Sequence, residues 1–219
     1  MNRTGRAFLS AILLLAGCSA SENNLEPAPT KEPVKEKNLT VEYTTLPEDN
    51  AFYYMEKEDL VSFLEHGTGI LFFGFPECPW CQAYLPIAND VLLQAEAKCG
   101  YYNIYTDKTE DREFYDEIGN LLVSQNDTEE EIIHYDNDGK QVIFMPLILF
   151  VSEGRITAFD NETCMENAEE ISPQDYWTEE KVSALKEKLL PLTEMIREQQ
   201  KENDDKGCDS GCEFKGYGN

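Results

Sequence analysis

Among the residues that could do chemistry, Cys78 and Cys81 come first, three positions apart in the stretch GFPECPWCQAYLP, residues 74–86. Two thiols at that spacing can act in three ways. They can exchange a disulfide with a partner, one sulfur attacking and the other resolving. They can supply half of a four-thiolate zinc site, with Cys208 and Cys212 as the other half. Or they can form a structural pair with no chemistry. The nucleophile and metal ligand is the thiolate, not the thiol, so the surroundings of the two sulfurs decide among these.

Those surroundings are readable from the apolar pattern. MEKEDLVSFLEHG (55–67) carries Leu60, Val61, Phe63 and Leu64 at helical spacing and stops at Gly67, a residue that suits a helix C-terminus. GILFFGF (69–75) is a continuous apolar run of strand length, the pattern of a strand covered on both faces. Over residues 82–98 the apolar positions Leu85, Val91, Leu92 and Ala95 suit a helix interrupted at Pro86, and YYNIYTD (101–107) reads as a further strand. The predicted order is helix, buried strand, dithiol, helix, strand. This is a βαβ layout with the dithiol at the strand-to-helix turn. Cys78 then sits at a helix N-terminus, where unpaired N–H groups and the helix dipole favour an anion. Cys81, one turn later on the same face, is placed to resolve a mixed disulfide. Pro79 falls in the first turn, where a missing N–H costs little. Glu77 opposes the dipole, because a negative neighbour raises a thiol pKa. Trp80, between the sulfurs, is placed to shield them and to touch a substrate.

The compartment follows from the other end of the chain. Arg3 and Arg6 precede AFLSAILLLAG, an apolar run too short to span a bilayer comfortably, which is the layout of a secretory signal. The run ends in LAGC, residues 15–18, which resembles the bacterial lipobox with Cys18 as the lipid-modified residue. An ordinary signal with an incidental Cys18 is the alternative. On the lipobox reading, the protein is exported and anchored in the cell membrane by lipid, facing outside the cytoplasm. Residues 19–38 lack aromatic side chains and are rich in charge and proline, so they read as a flexible linker. Residues 39–200 are expected to form one domain and 201–219 a flexible tail.

Charge and cysteine usage narrow the classes further. A formal net charge of −25, from 43 acids against 18 bases, repels nucleic acid and anionic head groups. The acidic run DTEEE (127–131) lacks the alternating ligands of an EF-hand loop. Seven cysteines less Cys18 leave six: the pairs Cys78/Cys81 and Cys208/Cys212, with Cys99 and Cys164 alone. Outside the cytosol such a remainder permits disulfides. A turn at Asp209-Ser210-Gly211 would let Cys208 and Cys212 form a second, local one. His66 and His134 are the only histidines and read as surface residues, against a Cys–His protease. No phosphate-cradling glycine loop or dinucleotide fingerprint occurs. No cofactor or metal is expected beyond the dithiol itself.

The dithiol segment resembles the active site of the thioredoxin superfamily, and further features fall in register. Pro86, five residues after Cys81, stands where the family places a helix-kinking proline. FMPLILFVSEGRITAFD (144–160) resembles the family's cis-proline and β-hairpin, with Pro146 after Met145 as the cis-proline, LILFV and RITAF as strands, and Ser152-Glu153-Gly154 as the turn. TEEKVSALKEKLLPLTEMI (178–196), with Val182, Leu185, Leu189, Leu192 and Ile196 on one stripe, resembles the closing helix. The resemblance covers roughly residues 40–200. It implies an α/β thioredoxin fold, a central mixed sheet flanked by helices. It further implies Cys78 as the attacking and Cys81 as the resolving residue, with Pro79, Trp80, Met145 and Pro146 on the substrate side. The motif and the cysteine-bearing tail are also similar to thioredoxin-like bacteriocin transport accessory proteins. That implies exported proteins or peptides as disulfide or dithiol partners, together with a membrane redox partner.

Two departures from the family pattern stand out. Phe72 lies six residues before Cys78, where many members carry a buried acid that manages the proton of the resolving cysteine. Another group or water must do so here. The span from dithiol to Pro146 is also long, and the excess is assigned to KTEDREFYDEIGNLLVSQNDTEEEII (108–133), expected as a helical acidic insertion that decorates the surface. Three functions remain in view: a thiol–disulfide oxidoreductase, a non-catalytic thioredoxin-like binding module, and a cysteine-based metal-binding protein.

Overall fold

The computed structural model of the chain describes residues 39–162 and 171–208, with side chains as far as 203. The signal segment with Cys18, the linker, Cys164 and Cys212 lie outside the described residues.

The apolar run at 69–75 forms β2 (Gly69–Phe73), every residue of which is buried. It occupies the middle of a five-stranded sheet with the order β1-β3-β2-β6-β7. The others are β1 (Phe52–Tyr54), β3 (Cys99–Tyr102), β6 (Leu147–Ser152) and β7 (Arg155–Asp160). β1 and β2 run parallel to β3, while β2–β6 and β6–β7 pair antiparallel. The sheet is therefore mixed, with helices packed on it. Side chains alternate across a strand, and here the alternation feeds two cores. Ile70 and Phe72 enter one with α3 (Pro79–Gln94) and α7 (Glu179–Cys208). Leu71 and Phe73 enter the other with α2 (Lys57–His66) and α5 (Arg112–Gln125). Short helices α1 (Leu39–Glu42), α4 (Ile104–Glu110) and α6 (Pro173–Tyr176) and the two-stranded pair β4 (His134–Tyr135) and β5 (Gln141–Val142) complete the described chain.

The hairpin at 152–155 turns through two left-handed residues, Glu153 at φ 50° and Gly154 at φ 74°. A Cβ at Gly154 would stand 2.0 Å from the Glu65 carbonyl oxygen, so only glycine lets the turn approach the end of α2.

Three expectations change. The strand expected over YYNIYTD stops at Tyr102, and the chain turns helical at Ile104. Asp107 is drawn inward by Tyr102 Oη at 2.8 Å and Lys57 Nζ at 3.0 Å, contacts that a continued strand would break. The supposed decoration at 108–133 is a layer of the fold. Phe114, Tyr115, Ile118 and Leu122 form an apolar stripe on α5 and are buried, while Glu113 and Glu117 face solvent. The closing helix continues to Cys208, so residues 201–208 are helical where a flexible tail was expected. Lys201, Glu202 and Lys206 suit a helix, but Asn203, Asp204, Asp205 and Gly207 do not, so intrinsic propensity does not account for the extension.

Candidate functional site

The chain leaves β2 at Gly74 and turns tightly, with the Cys78 N–H donating to the Phe75 carbonyl at 3.1 Å. Cys78 caps α3 in extended conformation, φ −79° and ψ 112°, and Pro79 begins the helix. The Cys78 sulfur accepts the Cys81 backbone N–H at 3.2 Å, in the role that a hydroxyl or carboxylate has at most helix starts. Across the gap, the Met145 carbonyl oxygen is 3.9 Å from the same sulfur. The Met145–Pro146 bond is cis, the isomer the resemblance implies. Pro146 itself is buried, immediately before β6.

Both thiols are free and sheltered: Cys78 is 6% exposed and Cys81 fully buried. Their electrostatics diverge. The Cys81 thiol, donating to the Cys78 sulfur, lowers the Cys78 pKa below the ordinary thiol range. The backbone N–H groups of Cys81 and Trp80 add to this against the opposing effect of burial. Burial pushes Cys81 far up, reinforced by Cys78. The pair thus consists of one sulfur ready to ionise and one held as a thiol. Glu77 is exposed and turned to solvent. Cys99, on β3, is a third free thiol, which burial keeps protonated.

An aromatic rim surrounds the dithiol. Trp80 meets Tyr176 edge to face at 5.3 Å, and Tyr176 meets Trp177 at 5.1 Å. On the other side Phe75 stacks on Tyr105 at 4.2 Å. The sequence reading singled out Trp80 but missed Tyr176, Trp177, Phe75 and Tyr105. The Tyr-Trp pair directly before α7 was the available signal. Beneath the dithiol, Phe72 is fully buried and stacks on Tyr101 with centroids 6.3 Å apart. Tyr101 and Tyr43 are also fully buried, their hydroxyl oxygens 3.1 Å apart, and sequence reasoning did not flag either one.

The remaining candidates are not brought to this site. Cys208 ends α7 and its proposed partner Cys212 lies outside the described residues. His66 is exposed at the end of α2, and His134 packs on Phe144 with centroids 4.5 Å apart. Among the described residues no group of three or more His, Cys, Asp or Glu side chains is arranged to hold a metal. Among them, too, no helix is long and apolar enough to cross a membrane. The fold and site together define an α/β protein whose mixed sheet presents a free dithiol at a helix N-terminus. No family model and no curated protein matches the sequence.

Proposed function

We propose that the protein is a thioredoxin-fold thiol–disulfide oxidoreductase, held on the outer side of the cell membrane by lipid on Cys18. It acts on exported proteins or peptides that carry disulfides or dithiols, and a membrane redox partner restores it. The observation that carries this reading is the Cys78 sulfur at the start of α3, accepting the Cys81 N–H at 3.2 Å with the Cys81 thiol behind it. The strand order and the cis bond before Pro146 are compatible with that fold.

In the reducing direction, the Cys78 thiolate attacks one sulfur of a substrate disulfide. The substrate S–S bond breaks, its second sulfur leaves as a thiolate and takes a proton, and a mixed disulfide joins Cys78 to the substrate. Cys81 then loses its proton and attacks the Cys78 sulfur. The Cys78–Cys81 bond forms, the substrate sulfur leaves as a thiol, and two electrons have passed to the substrate. Oxidation runs the same steps backwards. Pro146 and the Met145 carbonyl hold the substrate chain beside the sulfurs, and Pro79 and Trp80 form the opposing edge. Assistance to disulfide formation in an exported bacteriocin is the narrower form of this reading.

Insulin reduction in the presence of dithiothreitol tests it. The detergent-purified full chain should accelerate precipitation of the B chain, and Cys78→Ser should fall to the dithiothreitol background. Undiminished activity in Cys78→Ser would overturn the assignment. About one zinc per chain, lost on the same substitution, would favour a thiolate metal site instead. The reduction potential then sets direction, near about −270 mV for a reductase and about −120 mV for an oxidant.

A further inference from the structure

Resolution of a mixed disulfide requires Cys81 to become an anion, yet its sulfur is fully buried. In the reduced protein its thiol leans on the Cys78 sulfur. Once Cys78 is joined to a substrate, that sulfur no longer carries the charge that made it a good acceptor. A buried charge without a partner is costly, so a polar group must take over. The two buried carboxylates among the described residues are engaged elsewhere. Asp160 is held by Tyr84 and Lys188, and Asp107 by Tyr102 and Lys57.

The hydroxyls of Tyr43 and Tyr101 fill the vacancy. They lie 3.1 Å apart, and Tyr101 Oη is also 3.3 Å from the Gly74 carbonyl oxygen. A Cβ built on Gly74 would be 2.5 Å from Phe72 Cε1 and 3.3 Å from both the Cys81 sulfur and Tyr43 Oη. Glycine at 74 therefore makes room for the Phe72 ring, and the Cys81 sulfur and the Tyr43 hydroxyl border the same spot. From the geometry we infer that Tyr43, backed by Tyr101, supplies the hydrogen bond that lets Cys81 ionise and resolve the mixed disulfide. The inference rests on the oxidoreductase reading above.

Either phenol of the pair can be the donor, so rotation of the hydroxyls reverses the bond between them. With Tyr101 donating to Gly74, Tyr43 donates to Tyr101, while the Cys81 thiol donates to the Cys78 sulfur. With Tyr101 donating to Tyr43, the Tyr43 hydrogen turns toward the sulfur as charge develops there. In the step itself the Cys81–Cys78 bond forms and the Cys78–substrate bond breaks. The electron pair leaves on the substrate sulfur, and the proton lost by Cys81 ends on that departing thiolate. Burial holds both phenols well above their usual range, so neither ionises, and they act as hydrogen-bonding, positioning residues. The titratable groups acting around Cys81 are Cys78 on its own helix, Tyr43 from the segment after α1, and Tyr101 on β3. Glu42 and Glu77 act on Tyr101 from the rim.

Reaction of the reduced full chain with 5,5′-dithiobis(2-nitrobenzoate) separates the two steps. Rapid quenching and the mass of the peptide carrying Cys78 and Cys81 distinguish the Cys78 adduct from the Cys78–Cys81 disulfide. In Tyr43→Phe the adduct should form at the wild-type rate and convert about tenfold more slowly near neutral pH, the effect of a lost hydrogen bond to a charged group. The pH midpoint of conversion should rise in parallel. Tyr101→Phe should shift it the same way by less, and Tyr84→Phe, which removes a buried hydroxyl bound to Asp160, should leave conversion unchanged. A wild-type rate of adduct formation also reports a folded site. If Tyr43→Phe lacks it, Tyr101→Phe carries the test and must show the pH shift. Conversion by Tyr43→Phe at the wild-type rate across the pH range would overturn the inference, as would equal slowing in Tyr84→Phe. Absence of any Cys78 adduct in the unaltered protein would instead overturn the oxidoreductase reading beneath it.

Discussion

The hydroxyl of Tyr84 donates a 2.8 Å hydrogen bond to Asp160 Oδ1, joining α3 to the end of β7 through the core. Lys188, on α7, reaches Oδ2 at 2.6 Å. The carboxylate is 2% exposed, whereas the Lys188 side chain is half in solvent. Three elements thus converge on a charge that the core cannot solvate. Removing one partner of a buried pair strands the other, so Lys188→Met is expected to cost about 3 kcal/mol, toward the low end because water reaches the ammonium. Tyr84→Phe should cost about 1–3 kcal/mol. Urea unfolding measures both. A Lys188→Met change below about 1 kcal/mol would reduce the contact to an ordinary surface bridge.

The divergent thiols predict a pH signature. Cys78 should alkylate with a midpoint below the ordinary thiol value of about 8.5, while Cys81 stays silent over the same range. Cys81→Ala removes the donor that contributes most to the lowering, and should move the Cys78 midpoint upward. Equal labelling of the two cysteines would contradict the assignment of the nucleophile.

The same shift has a thermodynamic side. Folding lowers the Cys78 pKa, so below the ordinary thiol value the unfolded chain binds this proton more tightly. The stability due to Cys78 is fully present above that value and lost as pH falls through the folded one. Cys81 and Cys99, raised by burial, work oppositely: their contribution is present below the ordinary value and lost as pH rises toward their folded ones. Subtracting the urea stability of reduced Cys78→Ser from that of the reduced parent isolates the first effect. The difference should grow with pH up to about 8.5 and then level off. A difference independent of pH would show that folding leaves the Cys78 thiol unchanged.

If α5 is a layer of the fold, its inner face should behave as core. Leu122 is fully buried and Val123, beside it, is 50% exposed. Leu122→Ala is expected to cost about 2–5 kcal/mol, the range for a buried leucine, and Val123→Ala no more than about 0.5 kcal/mol. Thermal or urea unfolding compares them. Two small and equal effects would return the helix to the role of a surface decoration.

What the sequence disclosed was mostly local. The unbroken GILFF run reads as a doubly covered strand because nothing polar interrupts it. Cys78 reads as a helix start because Pro79 and the apolar spacing after it leave no other place for one. The hairpin around Glu153 and Gly154 carries its own turn chemistry. The rest depends on pairs far apart in the chain. The strand stops at Tyr102 and Asp107 lies within a helix, where Lys57, fifty residues earlier, holds its carboxylate. The stripe on α5 was present at helical spacing, but its acidic neighbours dominated the composition of the segment. Phe72 made the missing acid visible. The hydroxyls beneath the dithiol, from Tyr43 and Tyr101, meet across 58 positions of sequence, and no local pattern announces that.

Ile70 and Phe72 look toward the core that contains Cys78, Cys81 and Cys99, while Leu71 and Phe73 look toward one with no cysteine among the described residues. β2 is thus a partition wall between a chamber that holds the dithiol and one that meets the site only through Met145. Behind the wall and away from Met145, residues can be exchanged for others of equal bulk, and the change is felt mainly as durability. In front of it, the same exchange at Phe72 reaches the sulfurs through one layer of rings and alters what they do. Because strand side chains alternate with a period of two, one inserted residue in β2 would carry the side chains behind the wall into the chamber of the dithiol. The wall keeps its two trades separate only while it keeps its register.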